Sequence, residues 1–134
     1  FLVSCEQDES INSGPTSGQI IVKLADYPAL KNVGGSIKQK FSEFSDTYPL
    51  IIIRNSDNDF LVVTSECQHQ SCIVNLPDDN NDNLHCDCHL SEYSPENGSV
   101  EKQPNSGSTS ALPSFNYTFD KDNGILEINL NKVA

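Results

Sequence analysis

Two short runs of this chain carry residue types that bind metals. Cys67-Gln68-His69 reads C-x-H, and sixteen residues later Cys86-Asp87-Cys88-His89 reads C-x-x-H. In that order they offer two thiolates and two imidazoles from two separate loops. Such a set can divide over a diiron unit bridged by two sulfide ions, sulfur donors on one iron and ring nitrogens on the other. It can also be drawn around a single tetrahedral zinc ion. Structural zinc sites are built from C-x₂₋₄-C pairs, which C-x-H with C-x-x-H matches badly. The diiron unit is therefore the leading expectation and a structural zinc-binding module the alternative.

Some scaffold must deliver these loops, and composition bounds it. At 134 residues the chain is one domain with a modest core. Nineteen acidic and 8 basic residues give a formal net charge of −11. That argues against nucleic acid or an anionic membrane surface as electrostatic partners and favours a basic docking protein. No run of 18 apolar residues is present that could span a bilayer.

The chain contains no Met, so residues are expected to precede Phe1 in the translated protein. Phe1-Leu2-Val3-Ser4-Cys5 resembles the lipobox of bacterial lipoproteins, which implies acylation of Cys5 after signal cleavage. Several acyl chains hold a protein stably on a membrane where one does not. Residues 1–18 are thus expected to be a signal remnant and flexible linker, the polar part reaching at most about 45 Å.

From Gln19 onward the pattern is one of short strands. Ile20-Ile21-Val22-Lys23-Leu24, Ser36-Ile37-Lys38-Gln39-Lys40-Phe41, Leu50-Ile51-Ile52-Ile53-Arg54 and Phe60-Leu61-Val62-Val63-Thr64 are β-branched or apolar runs bounded by turn residues. The last two read as a hairpin leading directly into Cys67. Phe115, Tyr117 and Phe119 alternate with polar residues, as do Leu126, Ile128 and Leu130 after the Asp122-Asn123-Gly124 turn. Period two predicts antiparallel strands with one buried face. Residues 32–40 and 43–47 are the only helix candidates, and neither has a convincing helical period. The expected class is all-β: a sandwich of antiparallel sheets with a loop-rich subdomain inserted at about residues 65–113. That insert holds four of the five cysteines and all three histidines, and needs cross-links or a cofactor to stand. Residues 94–110 read as surface loop.

Over residues 19–131 the chain resembles the Rieske iron–sulfur proteins, specifically the high-potential type of cytochrome bc complexes. Their boxes read C-T-H-L-G-C and C-P-C-H-G-S-x-Y. Here they are Cys67-Gln68-His69-Gln70-Ser71-Cys72 and Cys86-Asp87-Cys88-His89-Leu90-Ser91-Glu92-Tyr93. The resemblance implies a Rieske domain over residues 19–134, its cluster-binding subdomain the insert at about 65–113. It implies a [2Fe-2S] cluster with Cys67 and Cys86 on one iron and His69 and His89 on the other. It also implies a disulfide between Cys72 and Cys88, and hydroxyls of Ser91 and Tyr93 bonded to cluster or cysteine sulfur. Leu90 replaces the glycine after the second histidine, Gln70-Ser71 replaces Leu-Gly, and Gly107-Ser108-Thr109-Ser110 replaces a proline-rich third loop. His85, beside Cys86, has no counterpart in the pattern and is expected in a supporting or solvent role. Gly98 matches the turn glycine after the second box.

The functional expectation is a membrane-tethered, extracytoplasmic electron carrier that passes single electrons through its histidine edge, with no catalysis of its own. Its place would be a bacterial lipoprotein on the periplasmic side or outer membrane, touching the membrane only through Cys5. The alternative is a small Rieske subunit of a larger oxidoreductase, arsenite oxidase-like or quinol-oxidising. A cytochrome, a quinol-oxidising complex or a molybdenum oxidoreductase would be the redox partner. A ring-hydroxylating oxygenase ferredoxin would be cytosolic, and Cys72, Cys88 and the lipobox speak against it.

Overall fold

The computed structural model describes residues 18–133; Cys5 and the lipobox-like segment lie outside them. Among the described residues, nine strands form three antiparallel three-stranded sheets. We number them β1 (Gln19–Lys23), β2 (Ser36–Gln39), β3 (Leu50–Arg54), β4 (Phe60–Thr64), β5 (Leu84–His85), β6 (Glu92–Tyr93), β7 (Val100–Lys102), β8 (Phe115–Asp120) and β9 (Ile125–Val133). The sheet orders are β1-β9-β8, β2-β3-β4 and β5-β6-β7. The all-β expectation holds, and among the described residues the helical elements are short 3₁₀ turns at Leu24–Asp26 and Pro28–Lys31.

The hairpin β3–β4 is the middle layer. Leu50, Ile52, Phe60 and Val62 face the first sheet, meeting Ile20, Val22, Leu126 and Ile128. Ile51, Ile53, Leu61 and Val63 face the opposite way, onto Val74, Leu84, Tyr93, Leu112 and the cysteines Cys67 and Cys86. Burial on both faces explains why β3 and β4 are continuously apolar while β1, β8 and β9 alternate. The hairpin register pairs Leu50 with Thr64 and Arg54 with Phe60.

Arg54 ends β3 buried, with no carboxylate beside it among the described residues. Its guanidinium donates to the carbonyls of Leu30 (3.1 Å), Lys31 (3.0 Å), Asp57 (2.7 Å) and Ser56 (3.4 Å). It lies 5.6 Å from the Phe60 ring centre and 5.4 Å from that of Phe119. A planar fork with five donors can satisfy several carbonyls at once, which an ammonium cannot. It therefore fastens the 3₁₀ turn and the hairpin turn to the aromatic side of the first sheet.

Within residues 94–110 the reading of surface loop needs one correction. Val100–Lys102 pairs with β6, because even a three-residue strand satisfies backbone groups at the edge of the third sheet. Gly98 turns the chain there at φ 77°.

Candidate metal centre

The two metal-box loops follow one plan. Each starts from a β pairing: Glu66 bridges Ile73, and His85 pairs with Glu92. In each, the N–H of the first cysteine donates five residues ahead, Cys67 to the Cys72 carbonyl (2.8 Å) and Cys86 to the Ser91 carbonyl (3.0 Å). The carbonyl of that cysteine accepts from the residue four ahead, Ser71 or Leu90, at 3.0 Å in both loops. That fourth residue is left-handed each time, with φ 59° at Ser71 and 66° at Leu90. These are the two positions where the resembled boxes carry glycine, the residue that takes positive φ without a Cβ penalty.

The repeated loop brings like residues together. Cys67 and Cys86 are buried, unpaired thiols. The rings of His69 and His89, both half-buried, have centres 4.8 Å apart and cross at 82°. Cys72 and Cys88 form the disulfide that ties one loop to the other, with Cα atoms 6.5 Å apart and a sequence separation of 16. Closing a loop of that size contributes on the order of 3 kcal/mol in the chain-entropy picture.

Hydroxyls surround the Cys67 sulfur. Tyr93 Oη lies 3.2 Å from it and Ser91 Oγ 3.6 Å. Burial opposes the Cys67 thiolate. Hydrogen bonds from Tyr93, the His69 backbone, Ser91 and the Cys86 thiol outweigh that and hold the thiol below its ordinary range. Cys86 is pushed up, chiefly by burial and then by its neighbour Cys67. Tyr93 is also pushed up, by burial and by its contact with Cys67, so its phenol keeps a proton to donate.

A model of the Rieske [2Fe-2S] domain matches residues 29–116, well over half the chain. The chain belongs to the Rieske family. Among curated proteins none matches it. A Rieske domain binds a [2Fe-2S] cluster and transfers electrons, and the side chains of this one suit that group. His89 Nδ1 is buried with no hydrogen-bond partner, an expense a folded protein avoids unless something else binds the atom. Beside it stand two thiols with no disulfide partner. Among the described residues, the one set of three ligand atoms within 4.8 Å of each other is Cys72, Cys86 and Cys88. Two of those sulfurs are already bonded to each other.

His85, expected in a supporting or solvent role, makes contacts of its own. Its Nδ1 meets the Asn83 carbonyl at 3.0 Å and its Nε2 the Asp78 carboxylate at 3.5 Å, so both ring nitrogens are engaged elsewhere. The third loop, after β7, forms a further wall, through contacts that the sequence did not single out. Asn105 N–H donates to the His89 carbonyl (2.8 Å). Gly107, at φ 75°, lies so close that a Cβ there would come 2.7 Å from His69 Nε2. Thr109 Oγ1 is 2.7 Å from Tyr93 Oη. The departure from a proline-rich loop marked this segment in the sequence, but no spacing rule points from Thr109 to Tyr93.

Proposed function

We propose that this Rieske domain is a membrane-tethered, extracytoplasmic one-electron carrier of the high-potential type. Cys67 and Cys86 hold one iron, and His69 and His89 hold the other. The observation that carries the reading is the pairing of the two loop tips: imidazoles side by side and half-exposed, thiols buried behind them. When bound, the cluster supplies a one-electron couple in a range of about −150 to +300 mV.

The protein sets where in that range the couple falls. Tyr93 and Ser91 direct hydroxyls at the Cys67 sulfur, favouring the more electron-rich state and raising the potential. With Nδ1 of His89 given to metal, its Nε2 is the atom that can hold or release a proton as the charge beside it changes. The half-exposed histidine edge is the route for electrons.

The Cys72–Cys88 disulfide supports an oxidising compartment, and the lipobox-like run ending at Cys5 supports a lipid anchor there. A net charge of −11 favours a partner with a basic docking face. A second reading, a small subunit of a larger arsenite oxidase-like or quinol-oxidising complex, draws support from exposed apolar side chains beside the boxes. Leu90 is 47 % exposed and Ile73 41 %, and a bound catalytic chain would cover them. Co-purification of such a chain from the native membrane distinguishes the two.

Protein-film voltammetry across pH tests the carrier reading. The expected result is a positive midpoint potential that falls as pH rises, because the reduced state holds protons on its imidazoles more tightly. A low, pH-independent potential would refute it.

A further inference from the structure

The hydroxyls behind Cys67 do not end at Tyr93. Tyr93 Oη makes its shortest contact with Thr109 Oγ1, 2.7 Å away, a strong hydroxyl–hydroxyl hydrogen bond. Thr109 is itself clamped in place: its N–H donates to Gln103 Oε1 (2.9 Å), and Gln103 Nε2 reaches back to its carbonyl (3.5 Å). The clamp spans the loop that also touches both histidines, through Asn105 N–H to the His89 carbonyl and Gly107 beside the His69 ring.

Counting protons fixes the direction of this chain. A phenol has one proton to give and can accept others. A metal-bound Cys67 sulfur only accepts, so the Tyr93 proton goes to sulfur. The proton between Tyr93 and Thr109 must then come from the Thr109 hydroxyl. A donor that is itself receiving a hydrogen bond is polarised and donates more strongly, by roughly 10–30 % per link.

We propose that Thr109 is a positioning residue for the redox centre: its hydroxyl donates to Tyr93, holds the phenol proton on Cys67, and so raises the reduction potential. The proposal rests on Cys67 being a cluster ligand. It makes the third loop part of the device that sets the potential, through one side chain that a proline-rich loop would not supply. Ser91 sits 3.4 Å from the same phenol oxygen, too far to replace a 2.7 Å donor.

The test is the midpoint potential of cluster-loaded Thr109→Val, Thr109→Ser, Tyr93→Phe and the Tyr93→Phe/Thr109→Val double variant, with iron and sulfide measured in each sample. Thr109→Val is expected to lower the potential in the same direction as Tyr93→Phe but by less. Thr109→Ser is expected to restore it. In the Tyr93→Phe background the valine substitution is expected to have no further effect. Gln103→Leu removes the clamp and keeps the hydroxyl; it should lower the potential more mildly, and serves if Thr109→Val does not fold. Wild-type potentials in loaded Thr109→Val and Gln103→Leu would overturn the proposal. So would a valine shift of equal size with and without the Tyr93 hydroxyl. A wild-type protein that takes up no iron and sulfide would instead defeat the ligand reading beneath it.

Discussion

Ser71 and Leu90 are two ordinary residues doing a glycine's work. Each occupies the left-handed region, at φ 59° and 66°, where a Cβ crowds the following carbonyl at a cost of about 1–2 kcal/mol. Leu90 has nothing to lose in packing, since its side chain is largely exposed. Leu90→Gly is therefore expected to stabilise the fold by about 0.5–1 kcal/mol, the strain released minus the added freedom of the unfolded chain. Leu90→Ala, which keeps the Cβ, is expected to leave stability unchanged; denaturant unfolding with the disulfide intact measures both. A loss on Leu90→Gly of the size seen for glycine in an ordinary helix or strand would contradict this. The sequence showed that both positions depart from the family boxes. It did not show that the departures fall where the backbone turns left-handed, because φ is not written in side-chain pattern. The candidate metal-binding side chains were legible, since ligand chemistry restricts them to few residue types at fixed spacing.

At the scale of elements, Arg54 joins two turns and a sheet edge through four carbonyls and two aromatic rings. Arg54→Met keeps much of the stem but leaves buried carbonyls without donors, and is expected to cost about 2–4 kcal/mol in urea unfolding. Arg54→Lys is expected to recover only part of that, because one ammonium cannot reach all four oxygens. If methionine were tolerated at wild-type stability, the fastening role would be wrong. In the sequence this arginine merely closes an apolar run. The strands themselves were readable: β8 and β9 by alternation, β3 and β4 by unbroken apolar residues around a polar turn. The third sheet was not. Its strands Leu84–His85, Glu92–Tyr93 and Val100–Lys102 are too short to show any period. The backbone pairings that create them come from the metal-box loops they carry. The 3₁₀ turns at Leu24–Asp26 and Pro28–Lys31 lie before the two poor helix candidates, at a point where Pro28 presets φ for a tight turn.

Across the whole molecule, a hairpin buried on both faces separates two jobs. One face completes a core with the first sheet; the other supports the two matched loops, the disulfide between them, and the third loop that closes over their histidines. Much of the second core is the site itself, with Cys67, Cys86 and Tyr93 packed among its aliphatic side chains. Cluster binding by Cys67 and Cys86 would accordingly be linked to the folding of this half. The most direct test of the ligand assignment is iron and acid-labile sulfide per chain, taken with the electron paramagnetic resonance of the reduced protein. The wild type and His85→Gln are predicted to hold a [2Fe-2S] cluster with the low average g value of mixed sulfur and nitrogen ligation. Cys67→Ser, Cys86→Ser, His69→Gln and His89→Gln are each predicted to lose that signal. One zinc per chain without sulfide, or an unchanged signal after replacing His69 or His89, would contradict the account.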